Sequence, residues 1–352
     1  MVKHGSDAPG ARQHTVAIAF VQGALHALPA AQAAELLRQS AIAPELLAQP
    51  QSRVPAAAFA ALWMAVARHL DDEFFGLDRR RMKVGSFALL CHAAASQASL
   101  GQGLRLVLRG FGLMLDDLQA GLSVAGEQAR IELSNRIVEA DARRFADEAL
   151  LVMLHGLLCW MAGRRVTLAG LDLAHPRPPH ADEYRRMFTP QTQFDRPVTA
   201  LCFDAALLGA PMRLGPGALK AFLRDAPQSV FLKQVSSAGW AERLRRRLRS
   251  SNEQWPTLQV LAGEFALSEA TLRRRLEAEG TQWQQLKDDL RRDMAIHHLA
   301  DPSQSVAAIA LRLGFDDAST FHRAFRKWTG SAPGAYRVRA VASSGAQSPF
   351  MS

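Results

Sequence analysis

Two clusters of side chains near the C-terminus have the chemistry to read nucleic-acid bases. In the first, Arg273 and Arg274 follow Glu269 and Ala270. A guanidinium can bond guanine O6 and N7 together, which discriminates against other bases by ~1–3 kcal/mol. The same group can instead bond a phosphate or stand in solvent, so this pair is open between base and backbone contact. In the second cluster, Ala318, Ser319, Thr320, His322 and Arg323 occupy the equivalent outward turn. Ser and Thr hydroxyls bond bases or phosphates with little discrimination, so this cluster is expected to specify less. Arg243, Arg245, Arg246, Arg247 and Arg249 lie on a helix just upstream, where they either touch phosphates or form a solvated face.

The elements that must position these side chains recur as a pattern. Residues 258–280 and 305–330 each contain a short amphipathic helix with a small residue, Ala262 or Ala310, where a second helix crosses closely. A tight turn follows, at Ala266-Leu267 and at Gly314-Phe315. Ser268 in one copy and Asp316/Asp317 in the other can then accept the free N–H groups of the next helix. Leu272 and Leu276, then Phe321 and Phe325, stand four residues apart and therefore on one face. Apolar residues hold each second helix down while basic residues point out, the arrangement that reading a DNA major groove requires.

Composition supports that partner. The 352 residues are 48% hydrophobic and 21% charged, enough for two or three domains with real cores. The net charge of +9 favours a polyanion. Between residues 238 and 340 stand 17 Lys+Arg against 12 Asp+Glu. Basic charge alone would also suit RNA or a membrane surface; the repeated helix-turn-helix decides for double-stranded DNA. Cys91, Cys159 and Cys202 are scattered, which predicts reduced, buried thiols in a cytoplasmic protein. No run approaches the length of a membrane span, and residues 149–162 read as a buried helix. There is no H-E-x-x-H, G-x-x-x-x-G-K-[ST] or G-x-S-x-G, so no enzyme, cofactor or metal chemistry is expected.

The double motif resembles the AraC/XylS family of bacterial transcription regulators over about residues 240–339. The resemblance is carried by Ile309-Ala310, Leu313-Gly314-Phe315, Ser319, Phe321, Arg323-Ala324-Phe325, Trp328-Thr329-Gly330, Pro333 and Tyr336-Arg337. It implies two small helical subdomains on a rigid connecting helix, 283–299, with recognition helices in two adjacent major-groove segments. It also implies activation of transcription through contacts with RNA polymerase. The upstream region resembles the arabinose-binding-like sensing domain of some of these regulators. Here the carriers are Phe75-Gly76-Leu77, Gly85-Ser86-Phe87, His175-Pro176, Tyr184-Arg185 with Phe188, Gln193-Phe194-Asp195, Phe203-Asp204, Leu207-Leu208 and Pro211. The domain's name does not make arabinose the ligand.

Periodicity predicts helices over 30–40, 42–47, 56–69, 85–95, 100–115 and 141–161. It predicts a hairpin of 122–125 with 130–134 about Gly126, and strands over 166–174 and 198–203. The expected fold is an α+β N-terminal domain joined to an all-α C-terminal domain with two helix-turn-helix motifs. The boundaries are a disordered tail 1–14, a ligand-sensing and dimerisation domain 15–215, a linker 216–236 opening on Gly215-Pro216-Gly217, a DNA-binding domain 237–340 and a flexible tail 341–352. A small-molecule effector is placed near Ser86, His92 and Phe111, although packing is the role expected of most residues there. His92 lacks a second ligand one turn away, so it reads as a core histidine rather than a metal site. Arg79–Arg81 with Lys83 form either a solvated turn or a contact for an acidic ligand or the partner domain. The chain thus reads as a homodimeric, effector-responsive activator. The alternative is a ligand-independent DNA-binding protein whose N-terminal domain serves only oligomerisation.

Overall fold

The computed structural model describes residues 14–212, 214, 217–226, 239–251, 255–301 and 303–337. Gly215, Pro216 and nearly all of both expected tails lie outside the described residues. The N-terminal elements are β1 (Thr15–Ala17), α1 (Ile18–Ala24), α2 (Ala30–Gln39), β2 (Arg53–Pro55), α3 (Ala56–Leu70), α4 (Ser86–Ala95), α5 (Leu100–Met114), β3 (Leu118–Ala125), β4 (Gln128–Asn135), α6 (Ala140–Met161), β5 (Leu168–Asp172), α7 (Asp182–Met187), β6 (Thr192–Gln193), β7 (Thr199–Asp204) and α8 (Ala218–Asp225). The C-terminal elements are α9 (Trp240–Arg249), α10 (Leu258–Glu264), α11 (Glu269–Ala278), α12 (Trp283–Leu299), α13 (Val306–Arg312) and α14 (Ala318–Thr329). They form two compact units whose chain segments alternate. One holds described residues 19–36 and 60–226; the other holds 14–18, 37–59 and 239–337.

The first unit is built on a five-stranded sheet in the order β3-β4-β7-β5-β6, antiparallel except for the β5–β6 pair. Gly126, at φ +57, makes the tight β3–β4 turn, which needs a left-handed residue. Ala129, Ile131 and Leu133 of β4 alternate inward, as a half-buried strand must. The hairpin is longer than its sequence pattern, because pairing continues to Leu118↔Asn135 through polar residues. Helix α6 is buried along most of its 22 residues, which explains an apolar run with little amphipathic character. Asp147 ties it to the sheet by accepting bonds of 2.7 Å from Asn135 Nδ2 on β4 and from Thr199 Oγ1 on β7. The next residue, Glu148, accepts from the buried Tyr184 hydroxyl and lies 3.3 Å from His180 Nε2.

Acids also shape the segment before α4. Asp72 accepts backbone N–H bonds from Phe74, Gly76 and Met82. Glu73 accepts from Gly85 at 2.8 Å and Phe87 at 2.7 Å, satisfying the start of α4. Burial pushes the Glu73 carboxyl up to about 7 against these bonds. Asp78 receives the N–H groups of Asp116, Asp117 and Leu118. The Arg79–Arg81 run is partly engaged inside the protein, with Arg79 on Asp117 and Arg80 on Asp116 at 3.0 Å.

Two expectations need correction, and one strand pairing was not among them. His92 is exposed and not in the core. The buried stripe of α4 is Phe87, Ala88, Leu90, Cys91 and Ala94, and position 92 falls off it. The expected helix 42–47 is a single 3-10 turn, Pro44–Ala48, too short to continue beyond Gln49. The β1–β2 pair was not expected, because three-residue strands carry no readable period. All three cysteines are buried free thiols. No helix among the described residues is long and apolar enough to cross a membrane.

The β1–β2 pair matters because it packs with the C-terminal helices. Thr15 Oγ1 donates to Asp293 Oδ1 of α12 at 2.6 Å. Arg53 donates through Nε to Thr15 Oγ1 at 2.7 Å and through Nη2 to the Thr15 carbonyl at 2.9 Å, and its charge lies 3.9 Å from Asp293. The Arg53 N–H donates to the Tyr336 hydroxyl at 3.2 Å, and Ser52 Oγ donates to the Thr329 carbonyl at 3.4 Å. Arg53→Ala should therefore loosen α12, costing about 2 kcal/mol for a lost buried ionic partner. Hydrogen exchange of the α12 amides should accelerate accordingly, and Arg53→Lys, which lacks the planar fork, should restore only part of the protection. Unaltered exchange in Arg53→Ala would show that the strand pair does not hold the helix.

Candidate nucleic-acid interface

The two helix-turn-helix copies are built by the same local chemistry. Thr257 and Ser305 cap α10 and α13 by accepting from Val260 N and Ala308 N, at 3.3 and 3.1 Å. Each of these helices ends in a pair of turn bonds. Ala266 N and Leu267 N donate to the Gly263 and Ala262 carbonyls in one copy; Gly314 N and Phe315 N donate to Leu311 and Ala310 in the other. Both turns need a left-handed residue, Ala266 at φ +54 and Gly314 at φ +76. The matching positions lie 48 residues apart.

The copies then fall out of step by one residue. Ser268 caps α11 through Thr271 N at 3.1 Å, whereas α14 is capped by Asp317, and not Asp316, through Thr320 N at 2.8 Å. The Thr320 N–H bond, with the Thr320 hydroxyl, holds the Asp317 carboxyl below the usual range. Glu269, Ala270, Arg273 and Arg274 thus correspond to Ala318, Ser319, His322 and Arg323. Buried Leu272 and Leu276 of α11 match buried Phe321 and Phe325 of α14. Ala262 and Ala310, at 2% and 1% exposure, leave room for those anchors to cross.

Each copy has its own core. In the first, Leu244, Leu248, Leu258, Leu261, Leu272, Leu276, Leu286 and Leu290 cluster. In the second, aromatic rings dominate: Phe321 lies 5.6 Å from Phe325 and 5.5 Å from Phe315, and Phe325 lies 5.1 Å from Tyr336. Helix α12 serves both. Leu286 and Leu290 belong to the first core, and the same helix packs on α13 and α14. Arg291 secures the joint. Its guanidinium stacks on Trp255 at 5.2 Å and on Phe315 at 5.4 Å, and Nε donates to the Leu313 carbonyl at 3.2 Å.

Among the candidate contact residues, Ala270, Arg273, Arg274, Ser319, His322 and Arg323 are exposed; Glu269, Ala318 and Thr320 are half-buried. Arg273 is engaged with Glu269, Nε to Oε1 at 3.1 Å. Arg274 has no such acid among the described residues. Arg323 Nη2 reaches Thr320 Oγ1 at 3.3 Å. The upstream arginines divide. Arg247 pairs with Glu264 at 2.7 Å, Arg249 with Glu242 at 3.1 Å, and Arg243 and Arg275 stack on Trp240 at 4.3 and 4.5 Å. Arg246 stays exposed. The proposed effector residues face different environments: Phe111 is fully buried, Ser86 half-buried and His92 exposed.

Two cationic residues were missed. Lys287 and Arg291 lie on α12 and line one cleft with Glu269 and Arg273. Their signal was present: Trp283, Lys287 and Arg291 recur every fourth residue, on one helix face. It was passed over because α12 reads as a connector.

The turn geometry yields a paired prediction. Gly314→Ala places a Cβ no closer than 3.7 Å to Arg291, so its cost is conformational, about 1 kcal/mol. Ala266→Gly, at the same turn position of the other copy, relieves that strain and should leave melting unchanged or raised. Equal destabilisation by both changes would contradict the assignment of strain to φ.

Both halves of the chain match known proteins. Residues 31–212 match the arabinose-binding domain of AraC transcription regulators, N-terminal, and residues 261–339 match a helix-turn-helix domain. The ornithine utilization regulator of Pseudomonas aeruginosa is 31% identical over 301 residues, covering 84% of this chain and 88% of that protein. An uncharacterized HTH-type transcriptional regulator of Mycobacterium tuberculosis is 27% identical over 325 residues, 87% of this chain and 91% of its own. The regulator VqsM of Pseudomonas aeruginosa is 35% identical over 106 residues, 30% and 33% of the two chains. With a sensing-domain model matched over half its length and a regulator matched along most of it, the chain belongs to the AraC family of DNA-binding transcription regulators.

Proposed function

We propose that α11 and α14 enter successive major-groove segments on one face of operator DNA, with Arg274 as the principal base reader. We further propose that the N-terminal domain binds a small-molecule effector and dimerises the protein, and that the bound dimer activates transcription through contact with RNA polymerase. The observation that carries the DNA reading is the repeated cap, turn and anchored helix, which leaves Arg274 exposed and without an acid partner among the described residues. Of the two arginines, Arg273 is restrained by Glu269 on its own helix, so the freer Arg274 is better placed to approach a base. Ser319 and His322 offer less discrimination, which makes the second copy the weaker reader. The sensing role rests on the match of residues 31–212 to an arabinose-binding domain. The name of the ornithine utilization regulator makes ornithine and related amino acids the first compounds to test.

Arg274→Ala should weaken operator binding by ~1–3 kcal/mol and relax discrimination at one or two base pairs, while Arg246→Ala should weaken all sequences alike or not at all. Binding to a library of operator variants reads both effects; unchanged affinity and base preference in Arg274→Ala would remove it from the interface. The effector is sought by thermal shift of the full chain, where a ligand of the native state at a hundredfold excess over its Kd stabilises by ~2.7 kcal/mol. A metabolite screen with no shift, alongside intact DNA binding, favours a domain that serves oligomerisation alone.

A further inference from the structure

The residues of α12 that the DNA reading leaves unused converge on one place. A cleft of about 360 Å³ is lined by Trp255, Glu269, Arg273, Trp283, Lys287 and Arg291. It is bordered on one side by the first turns of α11, which carry Glu269 and Arg273, and on another by the Trp283, Lys287, Arg291 stripe of α12. Of the ten residues that line the cleft in all, three are cationic. The one acid, Glu269, is held by Arg273. A further acid, Asp288, acts on Lys287 by its charge and receives the Gln284 side-chain amide at 3.0 Å. Lys287 Nζ lies 5.3 Å from the Trp283 ring, a contact that orients the ammonium without neutralising it.

We propose that this cleft seats a backbone phosphate of the DNA duplex, with Lys287 as the direct donor and Arg273 on its rim, while Arg291 is a positioning residue that shapes the wall. The proposal rests on the reading of α11 as a recognition helix, because that reading brings the duplex to the cleft mouth. Three features favour a phosphate. Lys287 is half-buried, and burial together with the charge of Arg291 lowers its proton affinity, so a neighbouring anion would relieve both effects. Arg291 has its geometry fixed by Trp255, Phe315 and the Leu313 carbonyl, which leaves it a fixed source of positive potential. The Arg273–Glu269 pair turns that guanidinium along α11 toward the cleft, which separates its role from that of Arg274. The two adjacent arginines would then divide the work: Arg273 sets the register on the backbone and Arg274 reads a base.

The test needs no known operator, since phosphate contacts serve all sequences. Binding of the full chain to a fluorescein-labelled random-sequence duplex of about 40 base pairs is followed against salt, with melting of each variant as the control for folding. Losing one phosphate contact lowers the slope of log affinity against log salt by about 0.9, so between about 50 and about 200 mM salt Lys287→Gln should lose about 3.5-fold less affinity than the wild type. Lys287→Arg, which keeps the charge, should restore the wild-type slope. If Lys287→Gln folds normally and keeps the full slope, the phosphate assignment is overturned while the DNA reading stands. If Lys287→Gln does not fold, Lys287→Arg and Lys287→Met decide, and equal slopes for these two overturn the assignment. A wild-type chain that bound no duplex at all would overturn the recognition-helix reading first, and this proposal with it.

Discussion

The C-terminal helices depend on one half-buried arrangement: a guanidinium held between two rings on the helix that joins two small cores. Neither core could define the other's position alone, since each has only a handful of leucines or phenylalanines. Arg291 links Trp255, beside the first copy, to Phe315 and the Leu313 carbonyl in the turn of the second. Five residues earlier and one residue earlier on the same helix, Leu286 and Leu290 complete the first core. Stacking and a carbonyl bond are both directional, so the joint resists rotation as well as separation. A lysine could supply the charge but not the flat surface. Two helices proposed to read DNA from a common rod would need such a joint, because DNA presents its successive grooves at a fixed pitch.

Much of this was legible in the amino-acid sequence because it is local. Caps, turns and i, i+4 anchors are written within a few residues of where they act, so Ser268, Gly314, Phe321 and Phe325 could be assigned unaided. The α6 helix and the β3–β4 hairpin were legible for the same reason. What could not be read depends on distant partners. Position 92 looked like core because its neighbours are apolar, yet α4 buries only one stripe and His92 lies beside it. Arg53 carries no local signal at all; its significance lies in Thr15, Asp293 and Tyr336. Lys287 was visible as part of a stripe but gained meaning only when Glu269 and Arg273 came to border the same cleft.

Net positive charge proved a coarse guide to the interface. Arg247 on Glu264 and Arg275 on Trp240 help to hold α9 against α10 and α11, while Arg243 and Arg249 are engaged within α9 by Trp240 and Glu242. Their positive charge still adds to the long-range field that draws the protein toward a polyanion. Contact is a separate matter, proposed for Arg274 at a base and for Lys287 with Arg273 at a phosphate. The distinction between field and contact explains why adjacent arginines such as Arg273 and Arg274 can differ so much in role.

The alternation of chain segments between the two units also sets an order of events during synthesis. Thr15 and Asp293, which share a 2.6 Å hydrogen bond, are separated by 278 positions. At a ribosomal rate of ~5–20 residues per second, the strands of Thr15 and Arg53 wait on the order of ten seconds or more before α12 emerges. During that interval their hydrogen-bonding groups face water or chaperones. The C-terminal helices consequently acquire this buttress only once α12 has been made, and a ribosome that stops before it releases a chain with strands and no helix to receive them.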